Sequence, residues 1–183
     1  MTSTLRTERL ILRIPCESDV DAVFHACQDP DIQRFTLVPV PYRRSDAEHF
    51  VRVTATSPDS VTRVVTTASG RFVGCVGVAL RSEDVGSLGY WCAPGQRGRG
   101  YLTEALAAVL DDAFDQGGLG LGVLEWSALP ENVASARLAA RLGFRFTGVR
   151  VDRGGGRDEE VVTAVLRATD ERVPQHWPPL SGG

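Results

Sequence analysis

Three consecutive segments with alternating apolar and polar residues constrain the fold of this chain more than any other feature. The alternation runs from Val61 to Cys92 and is interrupted at Ser69-Gly70 and at residues 82–84. A period of two is typical of strands with one buried face, and short polar or glycine-containing breaks are typical of hairpin turns. The sequence therefore predicts an antiparallel meander with strands at residues 61–67, 71–80 and 85–92.

Patterns on either side of the meander predict the rest of the fold. Two capping signals, at Ser18 to Asp21 and at Ser45 to Glu48, predict that two helices open there, the first ending near Asp29-Pro30. The other predicted elements are a first strand from Leu5 to Ile14, helices from Gly100 to Asp115 and from Asn132 to Leu142, and strands from Leu121 to Ser127, Phe144 to Val151 and Glu159 to Ala168. They predict an α/β (α+β) fold with a single mixed, largely antiparallel sheet of six to seven strands flanked by about four helices.

The chain length favours a single domain. Its 183 residues lie within the usual single-domain range, and its 43% hydrophobic and 23% charged residues match ordinary globular proteins. We therefore expect one domain over residues 1–172. The following segment, 173–183, is rich in proline and glycine, and its composition predicts a poorly ordered extension or a lid.

Charge and cysteine usage argue against several functional classes. The net charge is -3, and all 20 basic residues are arginines spread along the chain, so no nucleic-acid surface is predicted. The four cysteines form no C-x-x-C pair and the three histidines have no metal-ligand spacing, so no metal site is expected. No apolar run approaches the roughly 18 residues that span a membrane. These features predict a cytoplasmic protein with reduced thiols.

The segment Arg97-Gly-Arg-Gly-Tyr101 joins a predicted strand to a predicted helix. The first amides of a helix have no partner within it and lie at the positive end of the helix dipole. Two glycines let a ligand approach the backbone and two arginines add positive charge, so the segment suits a diphosphate. Taken alone, it also fits a glycine-rich turn with solvated arginines. Walker and dinucleotide loops do not fit, because the chain has no lysine and the segment lacks the third glycine.

Two longer stretches resemble one enzyme superfamily. They are Leu88-Gly-Tyr-Trp-Cys-Ala-Pro-Gly-Gln-Arg-Gly-Arg-Gly-Tyr-Leu-Thr-Glu-Ala-Leu106 and Pro130-Glu-Asn-Val-Ala-Ser-Ala-Arg-Leu-Ala-Ala-Arg-Leu-Gly-Phe144, and they resemble the GNAT superfamily of N-acetyltransferases. The opening Thr7-Glu-Arg-Leu-Ile-Leu-Arg13 is similar in particular to the ribosomal-protein N-terminal acetyltransferase (Rim-type) group. The resemblance runs from about residue 5 to residue 167. It implies a GNAT-like fold with two splayed central strands and acetyl-coenzyme A as the cofactor.

The resemblance also implies which residues bind the cofactor. The pyrophosphate-binding segment of the family falls on Arg97, Gly98, Arg99, Gly100, Tyr101 and Leu102, and the leucine departs from the family pattern. The pantetheine arm is implied to lie between strands 88–92, with Tyr90, Trp91 and Cys92, and 123–127. Asn132 matches the position from which relatives hydrogen-bond this arm.

Ser135 matches a serine that some relatives place near the thioester sulfur. Residues 132 and 135 share one face of a helix, which permits both to reach one ligand. As a proton donor to the leaving thiolate, Ser135 is one interpretation. A small serine that serves helix packing is the other.

The acceptor is expected to be an amine that attacks the thioester directly. At pH 7 an α-amino group of pKa near 7.8 is roughly one-seventh neutral, whereas a lysine near 10.4 is neutral about once in 2,500 molecules, a difference of about 3.5 kcal/mol. A lysine acceptor therefore needs a stronger base. Glu125 is the preferred base, because its apolar neighbours Leu124 and Trp126 are expected to raise its pKa. Glu83 and Asp84 are expected to be solvated turn carboxylates.

The sequence leaves the biological acceptor open. A protein N-terminal α-amine and a small-molecule amine both fit, with a slight preference for α-amino or small-amine acceptors over lysine. A non-catalytic module that binds acyl-coenzyme A in the same fold is the alternative to an enzyme. A homodimer is also compatible with the sequence.

Overall fold

The predicted meander forms the middle of an eight-stranded sheet in the computed structural model, which describes residues 4–152 and 158–180. The strands are β1 Leu5–Arg6, β2 Leu10–Arg13, β3 Ser60–Thr67, β4 Phe72–Leu80, β5 Val85–Cys92, β6 Val123–Ala128, β7 Arg145–Asp152 and β8 Glu159–Arg167. The helices are α1 Val20–Ala26, α2 Pro30–Phe35, α3 Arg44–Arg52, α4 Tyr101–Phe114 and α5 Val133–Arg141. The strand order is β1-β2-β3-β4-β5-β6-β8-β7, and among these described strands only β5 and β6 pair in parallel. The predicted mixed, largely antiparallel fold class is confirmed.

The sheet has one strand more than the six to seven predicted, because the stretch from Leu5 to Ile14 forms a hairpin rather than one strand. The Thr7 amide donates to the Leu10 carbonyl oxygen at 3.0 Å, and the Leu10 amide donates to Thr7 Oγ1 at 3.0 Å. This tight turn reverses the chain between β1 and β2. The polar run Arg6-Thr-Glu-Arg9 interrupts the alternation between Leu5 and Leu10, and it marks the position of this turn.

An additional helix, α2, lies where the sequence pattern predicted the end of the first helix. Pro30 occupies its first turn, and Asp29 Oδ1 accepts a hydrogen bond from the Ile32 amide at 3.0 Å. Asp followed by Pro is a helix-start signal as well as a helix-stop signal, because proline at the first position loses no helical hydrogen bond. The predicted number of about four helices is therefore one too low.

Both predicted capping boxes are displaced by two residues. The Asp19 carboxylate accepts from the Cys16 amide at 2.8 Å, and the Asp46 carboxylate accepts from the Arg43 amide at 2.7 Å. The acidic residue three positions after the cap therefore closes each first turn, without a serine at the cap. The prediction from Ser18 and Ser45 was wrong in register, although helices do begin close to both sites.

Apolar residues cover both faces of the sheet. On one face, α4 and α5 pack on a large core to which Leu12, Val76, Leu88 and Leu124 contribute. On the other face, α1, α2 and α3 enclose a smaller cluster that reaches Phe72 and Trp91. A buried ion pair, Arg63 to Asp112 at 2.6 Å, joins β3 to α4 within the larger core.

The C-terminal segment 173–180 lies against the larger core. The Gln175 amide donates to the Ala140 carbonyl oxygen at 2.8 Å, and Trp177 Nε1 donates to the Phe144 carbonyl oxygen at 2.9 Å. The described part of the tail is therefore docked, in contrast to the loose extension that its composition predicted. The indole of Trp177 supplies apolar contact that proline and glycine counts do not reveal. Residues 181–183 of the predicted tail lie outside the described residues.

Candidate active site

Six consecutive backbone amides at the start of α4 have no hydrogen-bond acceptor within the described part of the chain. They belong to residues 98–103, and the first bonded amide is that of Glu104, which donates to the Gly100 carbonyl oxygen at 3.1 Å. The N-cap of α4 is Gly100, which supplies no capping side chain. Free amides at a helix N-terminus lie at the positive end of its dipole, so this turn is a ready seat for an anion.

The backbone of this turn requires glycine at two positions. Gly98 has φ of 73° and Gly100 has φ of 75°, both in the left-handed region that side chains disfavour. A Cβ added at Gly98 would meet no heavy atom within 4 Å, so the space above the turn is open. Alternation of left-handed and ordinary residues is the backbone pattern of anion-binding turns.

The two arginines of the turn differ in what they contact. The Arg97 guanidinium donates to Asp29 at 2.5 Å and to Asp31 at 3.0 Å, and so ties the turn to the start of α2. Arg99 is exposed and forms no ion pair with any described residue. Both side chains were predicted to add positive charge for a diphosphate; Arg97 instead braces the turn through its ion pairs, and the role of Arg99 stays a prediction.

Arg9, in the turn between β1 and β2, supports the seat in a way that the sequence did not indicate. Its Nε donates to Glu104 at 2.6 Å, its Nη1 donates to the Arg99 carbonyl oxygen at 3.1 Å, and its guanidinium lies 4.9 Å from the centre of the Tyr101 ring. Partial burial opposes ionisation of Glu104, but hydrogen bonds from Thr7 and Arg9 outweigh it and lower the pKa of that carboxyl. Thr7 and Arg9 belong to the opening segment that resembles the Rim-type group, yet no local pattern links them to a helix 95 residues away.

A gap opens between β5 and β6 beside this seat. The two strands pair only at Val85–Ser87 with Val123–Glu125 and then separate. Residues 88–92 and 126–128 are unpaired with each other, in agreement with the predicted splay. Residues 123–125 were also expected to be splayed, but they pair with β5. Parallel strands that diverge leave backbone groups along both walls without a neighbouring strand.

The three predicted cofactor-binding residues on β5 face different sides of the sheet. Tyr90 and Cys92 belong to the larger core, on the side of α4 and α5. Trp91 points to the other side, where its ring lies 5.8 Å from that of Phe72. Burial raises the pKa of the Cys92 thiol, partly opposed by Arg97, so Cys92 remains a neutral thiol near pH 7.

Tyr90 connects the two walls of the gap through its hydroxyl group. The hydroxyl accepts from Trp126 Nε1 at 3.1 Å and from Ser135 Oγ at 3.0 Å, and it donates to the Ser135 carbonyl oxygen at 3.2 Å. One donor and two acceptor positions are thereby all used. Burial raises the pKa of Tyr90 to about 12, so the hydroxyl remains protonated across the physiological range.

Asn132 and Ser135 lie in the first turn of α5, as predicted. Asn132 Oδ1 accepts from the Ser135 amide at 3.2 Å and caps the helix. The cap uses the oxygen of the side chain and leaves its NH₂ group for another partner. Leu102, the residue that departs from the family pattern, packs against the larger core instead of facing solvent.

Glu125 occupies the opposite face of β6 from its apolar neighbours. Leu124 and Trp126 are buried in the larger core, whereas Glu125 is exposed. The apolar surroundings expected for Glu125 are therefore not found, because alternate residues of a strand point to opposite faces. Glu125 instead pairs in register with Ser87 on an open face, where a Cβ added at the nearby Gly89 would meet nothing within 4 Å.

Neither a metal cluster nor a membrane-spanning helix is found among the described residues. Within residues 4–152 and 158–180, no group of three histidine, cysteine, aspartate or glutamate side chains could hold a metal ion. In the same ranges, every helix is too short or too polar to cross a membrane.

The chain matches a known protein family. Residues 9–145 match the family described as Acetyltransferase (GNAT) domain. A curated relative, "Probable N-acetyltransferase YjcK" of Bacillus subtilis (strain 168), is 28% identical over 115 residues, which cover 60% of this chain and only 62% of that relative.

Two solved structures share the fold. RimL, the ribosomal L7/L12 α-N-protein acetyltransferase, in complex with coenzyme A, has a TM-score of 0.78 at 16% identity and covers 90% of this chain and 98% of that one. Spermidine N-acetyltransferase from Vibrio cholerae, in complex with CoA and spermine, has a TM-score of 0.77 at 18% identity and covers 89% and 98%.

Proposed function

The chain belongs to the GNAT acetyltransferase family, and we propose that it is an acetyl-coenzyme A-dependent N-acetyltransferase acting on a primary amine. The observation that carries this proposal is the row of six unpaired amides at residues 98–103 beside the gap between β5 and β6. A diphosphate needs several donors in one concave seat, and a long linear arm needs an open channel leading away from it. Both features meet where β5 gives way to α4.

Different parts of the chain hold different parts of the cofactor. The amides of residues 98–103 hold the diphosphate, and Arg99 adds charge from solvent while Arg97 keeps the turn in place. Tyr90, Trp91 and Cys92 form the β5 wall of the channel for the pantetheine arm. The free NH₂ group of Asn132 is a donor for a carbonyl oxygen of that arm, since its own oxygen is occupied by the helix cap.

The transfer is direct, without an acyl-enzyme. Acetyl-coenzyme A supplies the activated acyl thioester when it is bound. Cys92 is the one cysteine on β5 and β6, and burial holds it as a poorly nucleophilic thiol. The Ser135 hydroxyl donates to the Tyr90 hydroxyl in the protein alone. When the thioester is bound, rotation about the Cβ–Oγ bond breaks that hydrogen bond and directs the proton to the leaving thiolate.

Glu125 receives the proton of the attacking amine through solvent. It lies on the exposed face of β6, at the point where β5 and β6 begin to separate. Because the carboxylate is exposed, a water molecule relays the proton, and the acceptor must already be partly neutral. This requirement favours α-amino groups and small amines over the side chain of lysine.

The names of two proteins that share the fold support this acceptor class. RimL is described as an α-N-protein acetyltransferase and the Vibrio cholerae protein as a spermidine N-acetyltransferase. One name denotes a protein N-terminus and the other a small polyamine. Our proposal for this chain is therefore an α-amine or a small-molecule amine.

Thiol release from acetyl-coenzyme A over a panel of amines tests the proposed function. The panel contains a peptide with a free N-terminus, the same peptide blocked at its N-terminus but carrying lysine, and a polyamine. We expect release with the first or the third and slower release with the second. Faster reaction of the lysine peptide would overturn the acceptor class, and no release with any amine would indicate a binding module.

Two substitutions test the assigned residues in the same assay. Ser135→Ala and Glu125→Gln are each expected to lower kcat by about 100-fold, the lower end of acid–base contributions. Glu171→Gln removes an exposed carboxylate beyond β8 and is the matched control. Unchanged turnover in Ser135→Ala would remove that hydroxyl from the mechanism.

A further inference from the structure

The C-terminal segment 173–180 contacts β6, one wall of the splayed gap, and α5, the helix that carries Ser135. The Gln175 amide donates to the carbonyl oxygen of Ala140 in α5, the helix that contains Ser135. The Trp177 ring lies 5.3 Å from the ring of Trp126 in β6 and 6.1 Å from that of Phe146 in β7. The segment is thus packed across the back of the site, on the side of the sheet away from Glu125.

Trp126 connects this segment to the interior of the site. Its ring is 3% exposed, with Trp177 against it, and its Nε1 donates to the Tyr90 hydroxyl at 3.1 Å. The indole plane, once fixed by ring packing, fixes the direction of that N–H bond. The position of the Trp177 ring therefore decides where the Trp126 donor points.

The Tyr90 hydroxyl passes this constraint on to Ser135. It accepts the Ser135 Oγ hydrogen bond at 3.0 Å and donates to the Ser135 carbonyl oxygen at 3.2 Å. A hydroxyl whose donor and acceptor positions are all filled has one preferred placement, whereas loss of the Trp126 bond frees it. The Ser135 side chain then samples other rotamers.

We propose that Trp177 is a positioning residue, which through Trp126 and Tyr90 keeps the Ser135 Oγ atom in the one side-chain rotamer from which its proton can turn toward the thiolate. The inference rests on the proposed function, because it assumes that Ser135 assists departure of the thiolate. It assigns a role in turnover to a segment that lies outside the residues matched by the family domain. The hydrogen bond of Trp177 goes to the Phe144 carbonyl oxygen, and its ring contacts are to Trp126 and Phe146, so its role is one of positioning.

Steady-state thiol release by the full-length chain tests this role. Trp177→Ala is expected to lower kcat about tenfold while the dissociation constant of acetyl-coenzyme A stays within about twofold, since misorientation affects the reacting group and not the diphosphate seat. Trp177→Phe keeps a ring against Trp126 and is expected to restore most of kcat. Arg172→Gln, which removes a 2.6 Å ion pair to Asp111 at the start of the same segment, is the control and should leave kcat unchanged.

A double substitution separates positioning from general loss of packing. In a Tyr90→Phe background, Trp177→Ala is expected to lower kcat by less than about twofold, because the connection is already broken. A full tenfold loss in that background, or wild-type kcat in Trp177→Ala alone, would overturn the inference.

NMR spectra require no turnover, so they test the role of Trp177 independently of the proposed function. In amide and indole NMR spectra, Trp177→Ala should shift the Trp126 indole N–H and the Ser135 amide, while Arg172→Gln should move neither. If the wild-type protein released no thiol, the proposed function would fail while these shifts still reported the connection. Unmoved Trp126 and Ser135 signals would contradict the inference in either case.

Discussion

Two glycines with left-handed backbone determine which way the amides of the anion seat face. Gly98 has φ of 73°, and a Cβ added there would enter open space, so strain rather than a clash opposes any other residue at this position. A left-handed conformation costs an L-residue about 1 to 2 kcal/mol.

We predict that Gly98→Ala weakens acetyl-coenzyme A binding about tenfold, because relief of the strain turns amides away from the seat. Calorimetric titration of the cofactor measures the change. Gly95→Ala is the matched control, since Gly95 lies three residues earlier, has no left-handed backbone and also has open space around it. Equal loss of affinity in both variants would mean that the backbone conformation is not the cause.

The side chains of the turn show the limit of residue-level prediction. Arg97 and Arg99 are equivalent in the sequence, yet only the structure shows that Asp29 and Asp31 hold Arg97. These acids precede the turn by more than sixty residues. No pattern of local spacing reveals which of two neighbouring arginines has a partner.

The divergence of β5 from β6 is the structural element on which the channel depends. Gly89 lies on the exposed face of β5, which we propose as the acceptor side, and a Cβ there would meet nothing within 4 Å. Gly86, on the opposite face of the same strand, is closely packed, and a Cβ there would lie 2.6 Å from Val78 Cγ1. Glycine therefore leaves open space at position 89 and allows close packing at position 86.

Gly89→Val is expected to raise KM for the amine about tenfold and to leave acetyl-coenzyme A affinity and Tm nearly unchanged, because the new side chain enters only open space. Gly86→Ala, in contrast, is expected to lower the free energy of unfolding by about 1 to 3 kcal/mol through overpacking. Steady-state kinetics and thermal unfolding measure the two effects. A fall in Tm for Gly89→Val, with KM for the amine unchanged, would show that the face is not the acceptor side.

Sequence periodicity predicted the elements well where a single face is buried. The strands at 61–67, 71–80 and 85–92 agree with β3, β4 and β5 to within one residue at each end. Short elements defined by a turn or a cap were missed or displaced, as with the hairpin at Thr7 and the helix after Asp29. Their signals consist of one or two side-chain hydrogen bonds, which several nearby residues could supply.

Over the whole molecule, one buried and one half-buried acid, Asp19 and Glu104, set the acid sensitivity of the fold. Burial opposes ionisation of Asp19, but hydrogen bonds from Arg13 and from the Cys16 amide outweigh it and lower its pKa. The pKa of Glu104 is lowered by Thr7 and Arg9 in the same way. A lowered pKa in the folded protein means that, as pH falls, the unfolded chain binds the proton before the folded chain does. The stabilisation from Asp19 and Glu104 is therefore complete above the unfolded pKa values of about 4 and is lost as pH falls below them.

Asp19→Asn is therefore expected to lower the free energy of unfolding at pH 7 by about 1.5 to 3 kcal/mol, the range for hydrogen bonds to charged groups. The same variant should show a flatter loss of stability between pH 5 and 3. Urea unfolding at a series of pH values measures both. Asp21→Asn, which alters an exposed acid in the next turn, is the control, and an unaltered pH profile in Asp19→Asn would contradict this account.

The connections that make the site were the part that sequence could not predict. Asn132 and Ser135 were placed correctly because their spacing is local to one helix. Tyr90 and Ser135 are 45 residues apart, and Tyr90 and Trp126 are 36 apart, so their shared hydrogen bonds depend on how β5, β6 and α5 pack. The docking of Trp177 depends on the same packing, which composition of the tail does not encode.

Backbone amide NMR of the 183-residue chain during titration with coenzyme A tests whether the turn at the start of α4 binds the diphosphate. We expect the amide signals of residues 98–103 to shift most and to saturate together, because these six amides are free in the protein and become hydrogen-bonded to the diphosphate. Titration with NAD, which also carries a diphosphate but does not match the channel, should shift them little. If coenzyme A left residues 98–103 unmoved while signals elsewhere shifted, the assignment of this turn as the cofactor seat would be contradicted.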